Sequence, residues 1–197
     1  MIAIIDYKAG NLASVKKALD HLQANAVVTD DPKVVAKAGK VILPGVGHFA
    51  ATSQLAGTGL RDAVQERIAA GRPFLGICVG MQWMLAGSSE ALDVPGLGVF
   101  RARCERFQAD GLKVPHVGWN QINKIRDSRL LEGIDSGSFV YYSHSYFAPV
   151  AAETVATTDY CGSYSAVVES RNLFGVQFHP EKSGDTGLRL LTNFLNL

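Results

Sequence analysis

The sequence predicts an α/β fold: a mostly parallel central sheet with helices on both faces, flavodoxin-like, continued by a smaller antiparallel or mixed sheet portion. Three observations carry this expectation. The first half alternates short apolar runs with amphipathic stretches at helical spacing, the pattern of strands buried on both faces by crossover helices. After Ser88-Ser89 the chain becomes richer in glycine and aromatics, and its strand-like runs shorten, which suits antiparallel pairing. No repeat, low-complexity tract or long linker divides the 197 residues, so one domain spanning 1–197 is expected.

The elements follow in order. Met1 to Asp6 is an apolar first strand. Asn11 to Leu22 reads as a helix, because Leu12, Val15, Ala18, Leu19 and Leu22 fall on one stripe. Ala26 to Thr29 is a short second strand, and Asp30-Asp31-Pro32 supplies an N-cap with proline in the first turn of a second helix. Val41-Ile42-Leu43 is a third strand that stops at Pro44-Gly45-Val46-Gly47. Leu60 to Ala70 is helical, with Leu60, Val64 and Ile68 on one face, and Phe74 to Cys78 is the fourth strand. Phe139-Val140-Tyr141-Tyr142 and Ser165-Ala166-Val167-Val168 are strands of the second half, and Leu188 to Leu195 closes the chain as a helix. In an open parallel sheet, ligands bind beyond the carboxyl ends of the strands, where Gly45-Val46-Gly47 and Cys78 both lie.

Composition excludes several function classes. With 47% hydrophobic and 19% charged residues and a net charge of +1, the chain has no electrostatic footprint for nucleic acid or an anionic membrane. Its three cysteines, Cys78, Cys104 and Cys161, are widely spaced, without a C-x-x-C pair or a histidine cluster, which argues against a disulfide framework or a zinc site, and no metal or cofactor is expected. The start lacks a secretory pattern and no apolar run is long enough to span a bilayer, so a cytoplasmic, soluble protein is expected.

The chemistry centres on Gly76-Ile77-Cys78-Val79-Gly80. An apolar strand runs into a thiol flanked by glycines and followed by helix formers, the pattern of a nucleophile elbow. The glycines let the backbone pass tightly, and the start of the next helix aims amide N–H groups at the sulfur. Taken alone, the same window also fits a buried, inert cysteine. Phe178-His179-Pro180-Glu181 supplies what a nucleophile needs. If the segment is extended, His179 and Glu181 face the same side, with Pro180 biasing His179 toward that conformation. The carboxylate would orient the imidazole as the third member of a triad does. Acyl transfer also needs an oxyanion hole, for which the Val79 amide and the Gly45-Val46-Gly47 loop are the candidates.

Leu43-Pro44-Gly45-Val46-Gly47, Gly76-Ile77-Cys78-Val79-Gly80-Met81-Gln82 and Gln177-Phe178-His179-Pro180-Glu181 together resemble the class I (triad) glutamine amidotransferases, over essentially the whole chain. Asp6-Tyr7, Gly10-Asn11-Leu12, Pro115-His116-Val117-Gly118-Trp119-Asn120, Tyr141 to Tyr146 and Glu181-Lys182-Ser183 are similar to the glutaminase subunits of imidazole glycerol phosphate synthases within that family. Lys8 and Ala9 stand where members often carry smaller residues such as glycine, and Val79 where leucine is frequent.

The resemblance implies that Cys78 attacks the side-chain amide of L-glutamine, with His179 and Glu181 as base and orienter. It implies Val46, Gly47 and Val79 at the oxyanion site, and Gln82 with Ser143, His144 and Ser145 as the residues that hold glutamine. It further implies a heterodimer in which ammonia passes to a cyclase subunit with a (β/α)8 barrel, Asn11, His116, Trp119, Asn120 and Lys182 lying at or near the interface. The same motifs leave two other readings: a glutaminase serving an anthranilate or aminodeoxychorismate synthase, and an inactive regulatory subunit. The intact Cys78, His179 and Glu181 argue against the latter.

Overall fold

The computed structural model describes residues 1–108 and 111–197. Its first half builds β1 (Ile2–Ile5), α1 (Leu12–His21), β2 (Ala26–Thr29), α2 (Pro32–Lys37), β3 (Lys40–Gly45), a 3-10 turn at Phe49–Ser53, α3 (Gln54–Gly57), α4 (Leu60–Ala69), β4 (Phe74–Cys78) and α5 (Val79–Met84). The strands predicted at Ala26 to Thr29 and Phe74 to Cys78 have those same bounds. β1 and β4 are buried at every position, as expected of strands covered on both faces. Asp31 caps α2 by accepting from the Lys33 amide at 2.8 Å, with Pro32 in the first turn.

The second half contributes β5 (Gly87–Ser88), β6 (Ala91–Pro95), β7 (Arg103–Arg106), β8 (His116–Gln121), β9 (Asn123–Lys124), β10 (Phe139–His144), β11 (Tyr146–Phe147), β12 (Thr154–Asp159), β13 (Ser163–Ser170), β14 (Leu173–Val176), a 3-10 turn at Pro180–Lys182 and α6 (Gly184–Asn196). The main sheet runs β2-β1-β3-β4-β14-β13-β12-β9. Its members from β2 to β14 pair in parallel and the rest antiparallel, so the expected change of character occurs within one sheet. β10 and β8 form a separate two-stranded ribbon, and β11-β7-β5-β6 a small mixed sheet.

The closing helix begins one turn earlier than its apolar stripe suggested. Gly187 makes this possible, since a Cβ there would lie 1.9 Å from the Pro180 carbonyl oxygen, so bare backbone seats α6 against the 3-10 turn. No helix among the described residues is long and apolar enough to cross a membrane.

Candidate active site

Cys78 ends β4 and opens α5 with φ 53° and ψ −110°, a conformation that side-chain-bearing residues rarely adopt and that costs roughly 1–3 kcal/mol. Its neighbours impose it. A Cβ at Gly80 would lie 1.8 Å from the Leu43 carbonyl oxygen, and one at Gly76 2.6 Å from the Gly80 carbonyl oxygen. One at Gly45 would meet the Tyr7 hydroxyl at 2.5 Å and Val79 Cβ at 2.7 Å. Gly-x-Cys-x-Gly therefore marks a turn folded back onto its own strand and onto β3, where only hydrogen fits. α5 has just six residues, so its first amides, more than a long helix dipole, are what it presents to the sulfur.

The base arrives on the next strand. β14 pairs in parallel with β4, Val176 opposite Ile77, so the chain leaving β14 emerges beside Cys78. Gln177 Nε2 donates to Cys78 Sγ at 3.7 Å, a contact the sequence did not announce. His179 is extended, at φ −99° and ψ 96°, as a residue before proline should be. The expected extended pairing of His179 with Glu181 is not what brings them together, because Pro180–Lys182 is a 3-10 turn. Proline fixes the first φ of that turn, and the tighter path swings Glu181 back beneath the imidazole.

His179 Nδ1 lies 2.9 Å from Glu181 Oε1, with side chains only 3% and 1% exposed. A carboxylate can only accept, so Nδ1 carries the hydrogen and Nε2 is the nitrogen left for the thiol. Burial opposes the charged ring, but the hydrogen bonding and negative charge of Cys78 and Glu181 outweigh it and raise the His179 pKa to about 10.

A cavity of about 260 Å³ opens onto the sulfur. Gly47, Cys78, Val79 and Gln82 form one side, and Pro115 with Ser143, His144, Ser145 and Tyr146 the other, with Glu90 between them as the one carboxylate of the lining. The loop after β3 is well placed, since Gly45 pairs directly with Cys78. Gly47 has φ +89° and lines the cavity, whereas Val46 is 37% exposed and is not part of the lining. Gln82 commits both amide hydrogens, to the Tyr146 carbonyl at 2.8 Å and Gln177 Oε1 at 3.2 Å, which leaves its oxygen to offer a ligand.

A family model described as glutamine amidotransferase class-I matches residues 3–197. The chain belongs to the class-I glutamine amidotransferase family. Curated relatives of this amidotransferase include imidazole glycerol phosphate synthase subunit HisH of Thermococcus kodakarensis, 46% identical over 203 residues and covering 100% of both chains. The protein of the same name from Methanosarcina acetivorans is 44% identical over 199 residues, 100% of this chain and 98% of that one. A crystal structure of a glutamine amidotransferase matches with TM-score 0.79 at 21% identity, over 100% of this chain and 98% of the other. PurLQS from Thermotoga maritima matches with TM-score 0.75 at 19% identity, over 99% and 97%. At such identities the two structures speak for the fold alone.

The residues assigned to a partner face divide. In this amidotransferase Trp119 is 55% exposed, not core, and it meets Tyr141 edge to face with ring centroids 6.1 Å apart. Lys182 is exposed and its Nζ lies 5.6 Å from the Tyr141 ring centroid. Asn11 precedes α1 half-buried, without capping it through its side chain. His116 is only 4% exposed and is stacked between Tyr142 and Tyr160. β8 alternates, so Val117 and Trp119 face out while His116 and Asn120 face in, and one contiguous motif serves both sides of the ribbon.

Sequence reasoning missed Glu90, Gln177 and Tyr146. Only Gln177 had a local signal, as the residue two before His179 on the same strand path. Lys8 has φ +66° and pairs with Asp6 at 3.1 Å and Asp30 at 3.0 Å.

Proposed function

We propose that this chain, as a single amidotransferase domain over 1–197, is the glutaminase subunit of an imidazole glycerol phosphate synthase and delivers ammonia to a cyclase with a (β/α)8 barrel. The observation that carries the chemistry is the buried His179–Glu181 pair emerging next to Cys78 on the adjacent strand. Full-length relatives named as that synthase's subunit support the pathway, histidine biosynthesis.

The reaction balances in two steps. Cys78 thiolate adds to the carboxamide carbon of glutamine, and the resulting oxyanion is held by amides at Val79 and in the Val46–Gly47 loop. His179 gives its Nε2 proton to the departing ammonia as the C–N bond breaks, leaving a thioester. His179 then takes a proton from water, whose oxygen attacks the thioester carbon and releases glutamate and the thiolate. Glu181 keeps the imidazole in the required tautomer throughout. Gln82 through its free oxygen and the Ser143–Ser145 backbone hold the substrate, and Glu90 receives its α-ammonium group.

Val117, Trp119 and Phe139, each more than half exposed on the β8/β10 ribbon, form the apolar surface for the cyclase, with Lys182 and Asn11 at its rim. His116 and Asn120 support that surface from beneath. The anthranilate-type alternative makes an opposite prediction about which synthase accelerates hydrolysis.

The test is glutamine hydrolysis with and without the cyclase and its ligand. Cys78→Ala is expected to remove hydrolysis entirely while external ammonia still supports the cyclase reaction. Glutamine turnover at the parent rate in that variant would overturn the nucleophile assignment, and acceleration by a chorismate-using synthase instead would overturn the pathway.

A further inference from the structure

The antiparallel half of the molecule buries two histidines and a tyrosine that the two-step mechanism does not use. His116, His144 and Tyr164 are 4%, 6% and 0% exposed, on three different strands. Their hydrogen bonds can be assigned by elimination. The Tyr146 carbonyl can only accept, so His144 Nδ1, at 2.9 Å, carries a hydrogen and donates it. Burial keeps His144 neutral, so its Nε2 accepts, and among the described residues the donor there is the Tyr164 hydroxyl at 3.3 Å. Having used its hydrogen, the Tyr164 oxygen accepts from His116 Nδ1 at 3.2 Å. His116 Nε2 is then an acceptor, and Asn120 Nδ2 stands 3.4 Å away.

The far end checks the assignment independently. Asn120 Oδ1 accepts from the Gln121 amide at 2.8 Å, and Asn120 Nδ2 also donates to the Asp159 carbonyl at 3.2 Å. Those contacts fix the side-chain amide with its NH₂ toward His116, the orientation required by working from the other end. The five groups thus form one chain with a single direction of donation, from Asn120 to the Tyr146 carbonyl. Stacking holds His116 in place, since its ring lies 3.9 Å from the Tyr160 centroid and 4.8 Å from that of Tyr142.

The chain ends at a useful place. The Tyr146 carbonyl receives both His144 and Gln82, and both residues line the cavity over Cys78. We infer that His144, Tyr164, His116 and Asn120 are positioning residues for glutamine: a directional relay that fixes the Tyr146 carbonyl and, through it, the wall Ser143–Tyr146 and Gln82. This rests on the glutaminase reading and extends it, because the relay reaches from the cavity to the inner side of the ribbon whose outer side carries Trp119. None of the four touches the thiol or the His179–Glu181 pair through a hydrogen bond, so the relay governs where substrate sits and not how reactive the sulfur is.

That division supplies the test, made on the chain in complex with its cyclase. Tyr164→Phe removes the central hydroxyl and leaves two ring nitrogens unpartnered. Glutamine KM is expected to rise roughly tenfold while kcat stays within about threefold, a loss of uniform binding. Capture of Cys78 by the glutamine-shaped electrophile 6-diazo-5-oxo-L-norleucine should weaken in parallel, with labelling by methyl methanethiosulfonate unchanged. An unchanged KM, or a fall in methanethiosulfonate labelling matching the fall in capture, would overturn the relay.

A second pair decides the matter even if Tyr164→Phe fails to fold. His144→Asn keeps an N–H near the place of Nδ1, whereas His144→Leu keeps none. The asparagine variant should lie at least about threefold closer to the parental KM, and equal values for the two would also overturn the relay. Absence of both turnover and capture in the parent complex would instead overturn the glutaminase reading beneath it.

Discussion

Around β3, β4 and α5 the backbone approaches itself so closely that only hydrogen fits at Gly45, Gly76 and Gly80. Around β8, β10 and β13 the space is filled instead by rings: His116, Tyr164 and His144 hydrogen-bond in series, and Tyr142 stacks on His116 and bonds to the Thr158 hydroxyl. The first region positions the nucleophile through the absence of side chains. The second positions the facing cavity wall through polar side chains that are buried, uncharged and paired. The two differ accordingly in what breaks them: added volume for one, added charge for the other.

Gly80→Ala should have the largest effect. A methyl 1.8 Å from the Leu43 carbonyl oxygen cannot be accommodated by rotating a side chain, so β3 and α5 must separate. A loss of about 3 kcal/mol or more is expected in denaturant unfolding, together with loss of glutaminase activity. Near-parental stability would mean that the elbow tolerates more than its contacts suggest.

Acid is the corresponding challenge to the second region. Burial holds the His116 pKa down to about 4 and that of His144 down to about 3, from an ordinary value of 6.5. The unfolded chain therefore binds more protons below pH 6.5. The stability associated with keeping these rings neutral is fully present above pH 6.5 and is lost progressively as pH falls toward 4 and then 3. Each histidine contributes a slope of about 1.4 kcal/mol per pH unit within that window. Equilibrium unfolding between pH 6 and pH 4.5 should show His116→Asn with a slope shallower by about one proton. An identical slope in the two proteins would show that His116 charges without unfolding.

Lys8→Gly sharpens the comparison with the smallest change. Glycine relieves the positive φ but removes exposed ion pairs to Asp6 and Asp30, and it raises the entropy of the unfolded chain. The net change in stability should stay below about 1 kcal/mol, measured by the denaturant midpoint. A larger loss would place this loop among the determinants of the site.

The same contrast explains what could be read from the sequence. β1, β3 and β4 were legible because burial on both faces leaves unbroken apolar runs, and glycines bracketing a cysteine announce close approach. The His179–Glu181 partnership was legible as a pair but not as a geometry, since a proline after an extended histidine is compatible with either a strand or a 3-10 turn. The burial of His116 was not legible because a motif read as a block has two faces in a strand, and only the pleat separates Trp119 from its neighbours. The relay was illegible. Its members come from β8, β10 and β13, and nothing local in a sequence marks a histidine as neutral and sandwiched.

β14 lies between β4 and β13, and ninety-nine residues separate Cys78 from Gln177. On a ribosome, the thiol would therefore be made about one hundred residues before its base and would wait for β14 to emerge. The insertion of a late strand into the middle of an existing sheet makes reactivity wait on a segment synthesised well after the nucleophile. A truncated product could carry Cys78 on a well-formed elbow and still release no ammonia.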